Sequence, residues 1–195
     1  MDNQTIRAYN HDASSIATLH ANLTPTRIYE LIDLYFTKGE ASIDIGCGIG
    51  RDAYWLNQNG YPCVGIDASI EMLNEATALY PTVEFTHDFL PTLDSIKTAT
   101  FQNILCSAVL MHLTQNDLLT AYSRLLTLIN QSGILIISFR GTNESDCREN
   151  GKLYEPINAE EIISLFEKLG CKILLSESEV EVKRNLTWHN LVIKK

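Results

Sequence analysis

The chain has 195 residues, 45% hydrophobic and 20% charged, which suits one globular domain with a sizeable core. Its net charge of −9 disfavours a broad nucleic-acid footprint, which needs clustered Lys and Arg, although a small basic pocket remains compatible. No apolar run approaches the ~20 residues of a membrane span, residues 1–5 do not read as a secretory leader, and the five cysteines lack CxxC spacing, so a cytoplasmic, non-membrane protein with reduced, mostly buried thiols is expected.

Residues 12–36 carry helical periodicity, broken into two helices by Thr24-Pro25-Thr26, with Ile28, Leu31, Ile32 and Tyr35 as an apolar stripe on the second. Just ahead of them, Tyr9-Asn10-His11 is a candidate lid. A strand over residues 42–45 runs into Asp44-Ile45-Gly46-Cys47-Gly48-Ile49-Gly50-Arg51-Asp52: an acid, glycines at alternate positions, then a helix start. The helix over 51–59 stops at Asn59-Gly60, and a strand over 62–66 ends at Asp67. A helix over 69–79 follows with Ser69 as its cap. Then come a strand over 82–86, a marginal helix over 92–99 and a strand over 102–107. The helix over 114–129 opens near a capping box at Thr114 and Asp117, and the apolar run 133–139 reads as a central parallel strand. Residues 140–156 read as a long polar connection, followed by a helix over 159–169 ended by Gly170. The strands over 172–176 and 186–193, joined by the polar segment 177–185, are expected to be antiparallel neighbours.

This alternation predicts a single α/β domain over residues 1–195. It is a doubly wound, mostly parallel seven-stranded sheet with helices on both faces and an antiparallel last strand. Within it, 1–38 form N-terminal helices, 41–140 a cofactor-binding half and 141–195 a substrate-side half. Ligands in such sheets bind beyond the carboxyl ends of the strands, where residues 46–52, 67–69, 87–90, 107–112 and 140–154 gather.

The glycine loop admits two cofactor classes. A dinucleotide fingerprint wants a third glycine where this chain has Arg51, and a pyrophosphate wants a bare helix N-terminus. Here Asp44 and Asp52 flank the loop. Paired acids repel phosphates and suit a ligand carrying an ammonium and a sulfonium, which points to S-adenosyl-L-methionine.

In five segments taken in order over about residues 41–140, the chain resembles the class I (Rossmann-like) S-adenosylmethionine-dependent methyltransferase family. The segments are residues 44–50, 65–69 with Met72, 85–90, 101–113 and 132–138. The resemblance implies methyl transfer by direct displacement, with S-adenosyl-L-homocysteine as product. It implies that Asp67 accepts from the ribose hydroxyls and that Asp88 takes the adenine amino group with Phe89 beside the ring. Asp44, Gly46, Cys47, Gly48, Gly50 and Arg51 hold the methionine end, with Ser107 near its amino group. Ala68, Met72 and Tyr9 complete the expected cofactor contacts.

On the acceptor side, His112 after the fourth strand is a candidate general base or orienting group, and Arg140 after the fifth a candidate contact for an anionic acceptor. The Asp/Asn-Pro-Pro-aromatic signature of nucleic-acid amino methylation and a Pro-Cys after the fourth strand are both lacking, and no metal-ligand spacing occurs. The expected acceptor is a small molecule. The rivals are a protein or RNA acceptor served by a basic rim of Arg140, Arg148, Lys152, Lys183 and Arg184, a non-catalytic binder of the same cofactor, and a nucleotide-dependent oxidoreductase.

Overall fold

The structure is a computed structural model that describes residues 1–20, 23–98, 100–142, 147–181 and 184–195. Its centre is β1 (Ser42–Ile45), whose four residues are all buried. β1 pairs in parallel with β2 (Cys63–Asp67) on one side and β4 (Phe101–Ser107) on the other. β3 (Glu84–His87) extends the sheet beyond β2, and β5 (Ile129–Arg140) lies parallel to β4. β9 (Leu186–Lys194) runs antiparallel to β5, and β8 (Lys172–Glu181) closes that edge. Among the described residues the order is β3-β2-β1-β4-β5-β9-β8. The strand order reverses between β1 and β4, so their carboxyl ends open a crevice.

Helices cover both faces. α2 (Thr26–Tyr35) and α3 (Arg51–Gln58) lie over Leu105 and Ile136 of the sheet, with Leu56 of α3 in the same layer. α5 (Gln115–Leu128) and α6 (Ala159–Lys168) seal the other face through Leu118, Leu125, Ile162 and Phe166. α4 (Ile70–Leu79) starts at the expected cap, with Ser69 Oγ accepting from Met72 N. No helix among the described residues is long and apolar enough to cross a membrane.

Three segments differ from the sequence expectation. α1 (Asn3–His20) begins nine residues earlier than the periodicity of 12–36 suggested, and packs on α4. Residues 92–98 form no helix: the carbonyls of Thr92, Leu93 and Ile96 accept from the Arg124 guanidinium, and a single turn bond runs from Ile96 N–H to Leu93. The 140–156 connection contains a hairpin, β6 (Cys147–Glu149) with β7 (Lys152–Tyr154). Its turn is Asn150-Gly151, both at positive φ (50° and 82°), the pair that best suits the twist of a two-residue hairpin.

Candidate functional site

The chain turns sharply after β1. Gly46 (φ +74°) and Cys47 both send their N–H to the Ile66 carbonyl, at 2.7 and 2.9 Å, which folds the glycine loop over the end of β2. A Cβ on Gly46 would lie 2.2 Å from Val109 Cγ2, so the loop and the segment after β4 touch at bare backbone. Gly48 N–H then donates to Asp67 Oδ2 at 2.8 Å, and Ser69 N–H donates to Asp67 Oδ1 at 2.8 Å. Burial raises the Asp67 pKa, and these backbone donors oppose the rise. Each carboxylate oxygen accepts only one of these bonds, so both retain capacity for a ligand.

A cavity with about 150 Å³ of internal space lies over this loop, at the carboxyl ends of β1, β2 and β4. Gly46, Cys47, Gly48, Arg51, Asp67, Ala68, Met72, Ser107 and His112 line it, as does Tyr9 from α1. Residues that local reading had not singled out also line it: Thr5, Ile6 and His20 from α1, and Ala108 and Val109 after β4. Arg51 forms a two-point ion pair with Asp52 at 2.8 and 2.9 Å, and Tyr29 donates to the same carboxylate. Arg51 also donates to the carbonyls of His20 and Leu23, tying the end of α1 to the glycine loop.

Other expected site residues stand apart from the cavity. Asp44 lies beneath it, 3% exposed, and its Oδ2 has no hydrogen-bond partner. Burial, with Asp52 nearby, raises its pKa well above the usual carboxylate range. Gly50 caps α3 at φ +77°, where a Cβ would meet Phe85 at 2.4 Å, so it serves packing below the loop. Asp88 and Phe89 do not line the cavity. The Asp88 carboxylate binds Phe89 N–H, Ser95 N–H and Ser95 Oγ, closing its own loop, and the Phe89 ring is 40% exposed. Arg140 is not among the lining residues either. Glu149 on β6 grips its guanidinium from two sides and Tyr154 stacks under it at 4.4 Å, so it faces the hairpin and not the cavity.

His112 sits in a single 3₁₀ turn, Leu110–His112, and is 4% exposed. Its Nε2 is 3.1 Å from the Tyr9 hydroxyl and its Nδ1 is 2.6 Å from the Leu153 carbonyl oxygen. The rings of Tyr9 and Tyr154 stand edge-on to it. Burial lowers its pKa to about 4, so it is neutral at pH 7. α1 forms the roof: Asn10 Oδ1 accepts from Ser69 Oγ at 2.6 Å and from Glu71 N–H at 3.3 Å, while His11 points to solvent.

Strand order, switch point and glycine loop define a Rossmann-like ligand-binding protein. Residues 43–133 match the family described as a methyltransferase domain. An uncharacterized methyltransferase of Alkaliphilus oremlandii (strain OhILAs) is 29% identical over 101 residues, 52% of this chain and 46% of that protein. The chain spans about half the length of the curated relatives it matches. Among solved structures, Burkholderia thailandensis 1,6-didemethyltoxoflavin-N1-methyltransferase, with bound 1,6-didemethyltoxoflavin and S-adenosylhomocysteine, aligns with a TM-score of 0.75 at 20% identity. That alignment covers 97% of this chain and 84% of the other. The cyclase SpnF aligns with a TM-score of 0.71 at 15% identity, covering 87% and 80%. Residues 43–133 thus resemble a methyltransferase domain, and the solved structures share the Rossmann-like fold with this chain.

Proposed function

We propose that this chain binds S-adenosyl-L-methionine and transfers its methyl group to a small-molecule acceptor. The observation that carries the reading is Asp67. It is a buried carboxylate at the end of β2, held by two backbone N–H groups, with an acceptor site left on each oxygen. That arrangement fits the two adjacent hydroxyls of a ribose. The other end of the cavity fits a methionine moiety. Arg51 lines that end and carries a positive charge for the methionine carboxylate, while Asp44, beneath the loop, has a buried Oδ2 without a partner. Gly48, Ala68 and Met72 supply the wall against which the nucleoside lies.

When bound, the cofactor supplies a methyl group activated on a sulfonium. The chain's own residues then hold an acceptor in line with it, which is the main contribution protein makes to a direct displacement. Ser107 and His112, at the end of β4, are the groups nearest that task. α1 covers part of the cavity, which favours a small acceptor over a macromolecular one. The expected basic rim points the same way: Arg140, Arg148, Lys152 and Arg184 each pair with an acid, namely Glu149, Asp2, Asp12 and Glu181. Lys183 lies outside the described residues. A small acceptor is also compatible with the toxoflavin-precursor enzyme among the structural neighbours. A neighbour named for cyclisation and not for methyl transfer shares this fold, which keeps a second reading, cofactor binding without transfer.

Titration calorimetry with S-adenosylmethionine tests the site. Asp67→Asn is expected to weaken binding by about 10- to 100-fold, the worth of a hydrogen bond to a charged group. Unchanged affinity overturns the ribose assignment. Release of labelled methyl into a mixed small-metabolite extract separates transfer from mere binding: tight binding with no labelled product favours the second reading.

A further inference from the structure

We infer that the hairpin β6–β7 and α1 together set His112 as a proton acceptor, with Thr5 as the positioning residue, and that the methyl acceptor is a protic nucleophile of the N–H, O–H or S–H class. The inference rests on the function proposed above.

A carbonyl oxygen only accepts hydrogen bonds, so the 2.6 Å contact to Leu153 places a proton on His112 Nδ1. In a neutral imidazole Nε2 is then bare, and the Tyr9 hydroxyl 3.1 Å away must donate to it. The Tyr9 oxygen keeps its lone pairs, and both residues line the cavity. The Leu153 carbonyl is fixed in turn. Leu153 N–H donates to Thr5 Oγ1 at 2.8 Å, and Thr5 Oγ1 donates to Asp2 Oδ2 at 2.7 Å. Two residues on, Glu155 N–H donates to the Met111 carbonyl at 2.8 Å, clamping the hairpin to the turn that carries His112. The chain of contacts leaves α1 at Thr5, crosses β7, passes through His112 and returns to α1 at Tyr9. Seating α1 thus orders the roof and fixes the histidine tautomer in one event.

The circuit defines a proton path. The proton of the acceptor's X–H bond passes to the Tyr9 oxygen as the Tyr9 proton passes to His112 Nε2. The X–H electron pair stays on X and forms the bond to the methyl carbon. The pair of the broken carbon–sulfur bond stays on sulfur, leaving the neutral thioether. The imidazolium releases its proton to water when the cavity opens. At pH 7 the Nε2 of this imidazole is unprotonated, and burial makes the imidazolium a short-lived carrier of that proton. An acceptor with no proton to lose would leave this apparatus idle.

The test is the long-range proton–nitrogen NMR spectrum of the His112 ring in the ¹⁵N-labelled full chain with S-adenosylhomocysteine added. His112→Gln identifies its signals, and calorimetry on the same samples records ligand binding. The expected result is the Nδ1–H tautomer with a pyridine-like Nε2. Tyr9→Phe should shift Nε2 and leave Nδ1 in place, Thr5→Val should mix the tautomers, and Thr5→Ser should restore them. A proton on Nε2 in the parent chain, or an Nε2 signal indifferent to Tyr9→Phe, overturns the inference while ligand binding keeps the functional reading intact. If S-adenosylhomocysteine does not bind, the functional reading fails and the inference falls with it.

Discussion

His112 and Gly46 show how one position decides both stability and site geometry. Folding holds the His112 pKa near 4 against 6.5 in the open chain, so between those values the unfolded state binds more protons. Stability from this residue is complete above pH 6.5 and is lost as pH falls toward 4, about 3 kcal/mol in all. Denaturant titrations at pH 7 and pH 4.5 should show this loss in the parent chain and a shallower one in His112→Gln. Equal slopes would mean that the imidazole is not buried neutral. Comparing the pair matters because the raised pKa values of Asp44 and Asp67 work in the opposite sense in both proteins. Gly46→Ala should destabilise by about 2 kcal/mol or more, since it puts a side chain at φ +74° and drives a Cβ into Val109. A thermal melt within 1 °C of the parent would show that the loop has room to shift. Both glycine and acid signals were legible in the sequence, because a strand, a tight turn and a helix start are local facts. Thr5 and His20 were not, because nothing in their own neighbourhood in sequence tells that α1 folds back across a switch point.

Elements fared the same way. The alternating strands and helices could be read because apolar period and turn residues are local, and Ser69 stands where its capping chemistry requires. The hairpin was missed: Asn150-Gly151 is a strong two-residue turn signal, but its three-residue strands are too short to show alternation. Ser95, seven residues on, supplies two donors to the Asp88 carboxylate, a contact that the sequence did not suggest. α1 is held to the hairpin by Asp2–Arg148, Thr5–Leu153 and Asp12–Lys152, and to α4 through Asn10. These polar contacts join the packing of Ala13, Ile16 and Ala17 on Ile49 and Met72, over a cavity smaller than the ~300–1,000 Å³ usual for small-molecule sites, so α1 is expected to move when a ligand enters. Backbone amide exchange should therefore be fast in α1 relative to β1, β4 and β5, and should slow in α1 when S-adenosylhomocysteine is added. Exchange in α1 as slow as in the central strands, with or without ligand, would mean that the roof is fixed and that entry lies elsewhere.

For the molecule as a whole, charge and linkage choose between the two cofactor classes that share this architecture. The chain carries −9 overall, and three of its acids, Asp44, Asp52 and Asp67, gather at the glycine loop with one Arg51 against them. A dinucleotide would bring two more negative phosphates to that loop, whereas S-adenosylmethionine brings two cations and one anion. Any ligand that binds only the folded chain stabilises it by mass action, by ~2.7 kcal/mol at a concentration 100 times its dissociation constant. In a domain of this size each kcal/mol moves the midpoint by ~2–4 °C, so saturating S-adenosylmethionine should raise Tm by about 5–10 °C. NAD at the same concentration should leave Tm unchanged, and Asp67→Asn should forfeit much of the S-adenosylmethionine shift while keeping the unliganded Tm close to that of the parent. A comparable shift with NAD would return the glycine loop to the dinucleotide class. A full shift in Asp67→Asn would move the nucleoside away from the end of β2.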